Sequence, residues 1–314
     1  MLNFIKSPIN LRGATEDEIL KIRYKPTDGG LGDCCFASDK SGFHCFYIAR
    51  MYDLKADCSA PGQETAIGHG AGSDIFSISK VANAISTRKN LYDNGHVWAP
   101  SIVWADGKWQ MFYTAATDKL YQTIAVGYSD DLYNWFAPED NVVADCKDFG
   151  WAMSQANDYT DCRDPHITEY DGVWYCYYTA RLKNGNACIG VCTSEDLLTW
   201  QDRGFCLERA YRNNEAMGTE MCESPCAFRK DGIYYIVYNQ GMGMKYAVSD
   251  NPLDFTCSPN FTLHTGELPD NVPYNFEFLD ADTGLFGYLC GGYYSYAAFG
   301  FCEINRGTLS IREL

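Results

Sequence analysis

Three acids stand in one repeated slot of this sequence: Asp33, Asp164 and Glu223. Arg163-Asp164-Pro165 ends seven residues before Gly172, and Glu223-Ser224-Pro225 ends seven before Gly232. Gly32-Asp33-Cys34 ends eight before Gly42, and Trp98-Ala99-Pro100 ends seven before Gly107. A lone Asp ahead of Pro is ordinarily a turn or cap residue. Three acids in register point instead to carboxylates that converge. Crowding raises their proton affinity through like-charge repulsion and desolvation. Glycoside hydrolysis needs such a set: one carboxylate facing the anomeric carbon and one protonated carboxyl at the leaving oxygen. A third acid sets the pKa of the second or holds sugar hydroxyls.

The elements that must position these acids form a repeat. Asp106 to Ala115 (DGKWQMFYTA), Asp171 to Ala180 (DGVWYCYYTA) and Asp231 to Asn239 (DGIYYIVYN) are copies of one pattern. Ser41 to Ala49 is a fourth copy and Thr283 to Gly292 a weak fifth. Each is a turn signal followed by a β-branched and aromatic run, which predicts a hairpin entering a strand. A second element follows: Ile124 to Trp135, Ile189 to Trp200, Tyr246 to Phe255 and Gly68 to Phe76. It reads as a strand, a Ser-Asp turn, then a Leu and an aromatic that plug the space beneath. Trp135 and Trp200 recur in it as packing residues. Helical periodicity is nearly absent; Ala14 to Ile22 predicts a short amphipathic turn of helix. Five units of several short strands predict an all-β fold, a five-bladed β-propeller in a single domain over residues 1–314. A β-sandwich would leave the two-part repeat unexplained.

Composition narrows the partners. The chain carries 46% hydrophobic residues, 23 Tyr, 7 Trp and 28 Gly, enough for an aromatic-rich β core. Its net charge of −16 argues against nucleic acid, because phosphate binding wants Lys and Arg. Neutral sugars are not excluded. No apolar run reaches membrane-span length, and no signal peptide is visible at the N-terminus. The 15 cysteines mostly sit in apolar, strand-like runs as small buried hydrophobes. Free thiols fit a reducing cytoplasm. Without paired spacing they predict no zinc site, and no cofactor or metal is expected.

The order and spacing of these motifs over residues 24 to 255 resemble the five-bladed propeller glycosidases, glycoside hydrolase families 32, 43, 62 and 68. HCFYI after Asp33 resembles the end of the first family 32 motif, and GHGAGSDIF a second family 32 segment. Arg163-Asp164-Pro165 matches the RDP motif of families 32 and 68. Glu223-Ser224-Pro225 matches their E-C-P motif with Ser for Cys, and Trp98-Ala99-Pro100 is closer to family 43. The resemblance implies a hydrolase of a furanoside in a small oligosaccharide or glycoside. In a β-fructosidase-like retaining enzyme, Asp33 is the nucleophile, Glu223 the acid/base and Asp164 the transition-state stabiliser. In a family 43-like inverting arabinofuranosidase or xylosidase, Asp33 is the general base. A carboxyl separation of roughly 5 Å marks retention and roughly 6.5 to 9.5 Å inversion. A propeller that binds sugar without cleaving it is the alternative from another class. The chain departs from family 32 at Gly32-Asp33-Cys34-Cys35, where Asn-Asp-Pro-Asn is usual, and the family's C-terminal β-sandwich is not expected.

Further candidates surround the acids. Arg163 is expected to bond sugar hydroxyls beside Asp164 or to form a salt bridge in the channel. Trp98 is a stacking platform for a furanose or a core residue. His69 reaches substrate or stabilises a turn. His96 lies near the rim, His166 is packed away from Asp164, and His264 sits in a polar loop. Trp151 lies in the Cys146 to Asp161 loop, which could wall the pocket. Asp145, Asp148, Asp158 and Asp161 of that stretch read as solvated surface.

Overall fold

The computed structural model describes residues 3–51, 59–154, 160–210, 220–241, 243–266, 268, 273–290 and 295–312. Five antiparallel sheets follow one another along the chain. Blade I is built from Gly29–Asp39, Gly42–Met51, Ala66–Gly72 and Ser79–Lys80. Blade II uses His96–Ala105, Lys108–Ala116, Gln122–Ser129 and Trp135–Phe136. Blade III uses Cys162–Tyr170, Val173–Arg181, Ala187–Ser194 and Gln201–Arg209. Blade IV uses Glu223–Lys230, Ile233–Gln240, Gly243–Ser249 and Phe261–Thr262. Blade V uses Tyr274–Asp280, Leu285–Cys290 and Tyr296–Asn305. Its fourth strand is Arg23–Tyr24, from the other end of the chain, which pairs with Ala297 and Ala298. The first strand of each blade packs on that of the next, and the fifth on the first, so the sheets close a ring around a channel. This is the five-bladed β-propeller expected, and the helix expected near the start is Glu16–Ile19, held by a Thr15/Glu18 capping box.

Both halves of the repeat take the predicted form. The hairpin copies become the second strand of every blade; residues 291–292 of the fifth lie outside the described ones. In the other element, Asp131 accepts backbone bonds from Tyr133 and Asn134, and Asp196 from Leu198 and Thr199. These turns set Leu132 and Leu197 in the left-handed region, at φ 66° and 60°, with both side chains buried. The Trp135 and Trp200 indoles donate back to the Leu132 and Leu197 carbonyls, at 2.8 and 3.2 Å. Their rings meet Phe46 and Phe112 edge-on. The core therefore lies between blades, where the aromatic faces of neighbouring sheets interdigitate.

Every first strand also carries one β-bulge at the same place. Pairing with the second strand breaks between Leu31 and Cys34, Trp98 and Ser101, Arg163 and His166, Glu223 and Cys226, and Tyr274 and Glu277. In blades II to V the first skipped residue has positive φ: Ala99 42°, Asp164 56°, Ser224 49° and Asn275 54°. A bulge re-aims the side chains on either side of it, and here five of them do so around one axis.

Candidate active site

The bulges bring the three acids together. Ser224, the skipped residue of blade IV, donates its Oγ–H to Asp33 Oδ2 at 2.5 Å and its backbone N–H to Asp164 Oδ2 at 3.2 Å. One serine thus ties the blade I and blade III carboxylates to each other. Thr179 Oγ1 also donates to Asp164 Oδ2, at 3.0 Å, and Asp164 N–H donates to Thr114 Oγ1 of blade II at 2.9 Å. Glu223, one residue before Ser224, accepts from Arg163 Nη2 at 2.7 Å. Arg163 also pairs with Asp161, and its Nε lies 3.7 Å from Asp164. Asp33, Asp164, Ala99, Ser224, Asn275 and Glu277 line one small cavity.

Crowding and burial have the predicted electrostatic effect. Burial pushes the Asp164 carboxyl up from 3.8 to about 7; Arg163 opposes this, and the neighbouring Asp33 and Glu223 add to it. Burial raises Asp33 as well, against the Ser224 hydrogen bond and the Arg50 charge. Arg50 is itself held by Glu64, 2.8 Å away. The crowded, buried carboxylates thus bind protons more tightly than exposed ones, Asp164 up to near neutral pH.

The other expected contacts divide. Arg163 sits among the acids, engaged with Asp161 and Glu223. Trp98 occupies in blade II the position that Arg163 and Glu223 hold in blades III and IV. It packs on Ile48, Ala99 and Ala116 and stacks on His96, with ring centroids 4.9 Å apart. Its indole nitrogen is buried without a hydrogen-bond partner. His69 is not brought to the acids: it is enclosed on the third strand of blade I, stacked on Phe46, its Nε2 2.9 Å from His44 Nδ1. Trp151 is not brought there either. It stacks on Phe149, and its indole donates to Asp202 on the outermost strand of blade III at 3.1 Å. Asp145 and Asp161 correct the expectation of solvated surface. Asp145 is buried against the Tyr121 hydroxyl, and Asp161 is buried between Arg163 and Arg181. Asp158 lies outside the described residues.

Two participants escaped the sequence reading. Asn275 Oδ1 accepts the Cys34 backbone N–H at 2.7 Å, fixing the chain just after Asp33. Glu277 lines the cavity beside it; burial first, and Asp33 second, lift its carboxyl well above the usual range. The register carried a signal, because Tyr274-Asn275-Phe276 is the fifth copy of the bulge. It ends eight residues before Gly284, as Gly32-Asp33-Cys34 does before Gly42, but its slot holds an amide instead of an acid.

A cavity of about 620 Å³ lies away from the acids. It is lined by the N-terminal Ile5, Pro8 and Ile9 and by the far ends of the first strands of blades III to V, including Tyr170, Arg229 and Asp280.

A five-bladed propeller with three acids meeting in its channel defines the class: a propeller glycoside hydrolase. The model of the glycosyl hydrolases family 32 N-terminal domain matches residues 35–271, and the chain belongs to that family. The matched stretch begins two residues after Asp33. No curated protein sequence matches the chain. Among solved structures, the Bombyx mori family 32 β-fructofuranosidase BmSUC1 superimposes with a TM-score of 0.69 at 17% identity, over 98% of this chain and 66% of that one. This chain therefore spans just under two thirds of that enzyme. A thermostable family-43 glycoside hydrolase gives 0.66 at 14% identity, over 92% and 95%. An endo-arabinase from Bacteroides thetaiotaomicron gives 0.67 at 14%, over 92% and 98%.

Proposed function

We infer that this glycoside hydrolase cleaves a furanoside in a small oligosaccharide by a β-fructosidase-like, retaining mechanism. One observation carries the reading: Ser224 holds Asp33 and Asp164 through a single residue while the adjacent Glu223 completes the set. In this mechanism Asp33 attacks the anomeric carbon, its carboxylate oriented by the Ser224 hydroxyl. Glu223 gives a proton to the departing oxygen, then takes one from the water that hydrolyses the glycosyl-enzyme. Asp164 stays beside the reacting carbon and stabilises the positive charge that develops there. Arg163 orients Glu223 and Asp164, and Trp98 offers a ring face near the same cavity. The likeness to BmSUC1, a mutant of which was solved with sucrose, supports a fructoside. Fourteen free thiols among the described residues support a reducing, cytoplasmic setting.

A second reading rests on Trp98-Ala99-Pro100 and on family 43 structures that this chain covers almost end to end. In it Asp33 activates water, and cleavage inverts the anomeric centre. Short fructans, sucrose, and nitrophenyl arabinofuranosides and xylosides, followed by NMR of the first product anomer, separate the two. Fructoside cleavage with retention supports the first reading; inversion replaces it with the second. If no substrate turns over, or Glu223→Ala matches wild type, the catalytic reading fails and a sugar-binding propeller stands.

A further inference from the structure

The residues that resume pairing after the five bulges are Cys34, Ser101, His166, Cys226 and Glu277. They form a polar tier one step along the channel from the acids. Three of them, from blades III, IV and V, bring a ring nitrogen, a thiol sulfur and a carboxylate oxygen within 4.8 Å of one another. We propose that His166, Cys226 and Glu277 form a binding site for a zinc-like divalent transition ion beneath the catalytic acids.

Each donor is already oriented by a bond of its own. His166 Nε2 lies 3.0 Å from the Ala227 carbonyl oxygen. A carbonyl only accepts, so Nε2 carries the proton and Nδ1 keeps its lone pair for a metal. A metal-ligating histidine commonly donates its other N–H to a backbone carbonyl in just this way. Cys226 Sγ accepts the Phe278 N–H at 3.5 Å, a bond that favours a thiolate. Glu277 Oε1 accepts from Asn275 Nδ2 at 3.4 Å. Imidazole, thiolate and carboxylate are the donors of zinc sites, whereas calcium and magnesium seek oxygen.

Charge balances at such a site: one thiolate and one carboxylate neutralise a divalent cation, and the imidazole binds in its neutral form. Three protein donors leave a position for water from the cavity above. The ion would also tie blades III, IV and V together and steady Asn275, which holds the backbone after Asp33. No spacing motif announces such a site, because each donor comes from a different blade.

The test reads metal content and spectrum, independent of turnover. The full chain, purified without chelator or histidine tag and equilibrated with micromolar Zn²⁺, is expected to retain about one zinc. Replacement by Co²⁺ should give a thiolate-to-cobalt charge-transfer band. Cys226→Ser and Glu277→Gln should each weaken Zn²⁺ at least tenfold, while Cys257→Ser, at an exposed thiol, should not. Absence of stoichiometric zinc, a cobalt spectrum without the thiolate band, or unchanged binding in folded Cys226→Ser would overturn the proposal. The wild-type cobalt spectrum decides the matter if either variant does not fold.

Discussion

At the scale of the residue, Ser224 is the most informative side chain in the pocket. Its hydroxyl stabilises the ionised form of Asp33, so Ser224→Ala should raise the Asp33 pKa further. The acidic limb of the kcat/KM profile should then move to higher pH, with kcat falling about tenfold and the fold kept, as expected for a hydrogen bond to a charged group. An unshifted limb would remove Ser224 from the mechanism. Asp164 sets a second pH effect. Its carboxyl titrates at about 7 in the folded chain and at 3.8 when exposed. The fold therefore binds the proton more tightly, and stability falls as pH rises through that window. Thermal melts should show a lower Tm at pH 8 than at pH 5, and Asp164→Asn should shrink the difference. The three acids were legible because a turn glycine follows each at nearly constant distance. Asn275 and Glu277 were not, because the fifth hairpin copy is weak and its slot holds an amide instead of an acid. Burial of Asp145 and Asp161 was hidden because their partners, Tyr121 and Arg181, come from other parts of the chain. His69 misled for a similar reason: its neighbour His44 is on the adjacent strand, and the pair faces protein on all sides.

At the scale of the element, the repeat was readable because its parts are chemically distinct. An Asp-Gly turn, an aromatic strand and a Ser-Asp-Leu-Trp plug each have a local physical reason to form. The bulges were not readable. Their left-handed residues are Ala, Asp, Ser and Asn, none of them the glycine that would announce positive φ. Glycine marks a different constraint on the third strands. The Tyr178 ring lies over Gly190, where a Cβ would come within 2.4 Å of it, and Tyr47 lies over Gly68 in the same manner. Gly190→Ala must displace a fully buried tyrosine, and should cost about 1–3 kcal/mol. Chemical denaturation would register this as a lower midpoint at unchanged m-value.

At the scale of the whole molecule, the excess of 41 acidic over 25 basic side chains leaves a folded chain that repels itself. Added salt screens that repulsion, so Tm should rise between low ionic strength and about 0.3 M NaCl, where the Debye length falls below 10 Å. A Tm that falls with salt would show that ion pairs such as Arg163–Glu223 outweigh the net charge. The ring architecture followed from counting units; the way the ring closes did not. Arg23–Tyr24 is two residues long, too short to carry a periodic signal.

That closing strand also dictates the order of events in folding. Arg23 and Tyr24 leave the ribosome long before their partners Ala297 and Ala298. Blades I to IV can assemble from neighbouring segments as they are made, whereas blade V lacks its outer strand until both ends of the chain meet. Such a long-range closure is slow, because the whole intervening chain must be ordered before the pairing is rewarded. Until then Ala297 and Ala298 present an unpaired edge, although Cys302–Asn305 of the same strand pairs with Thr308–Ile311, and another unfinished chain can dock there in place of Arg23–Tyr24.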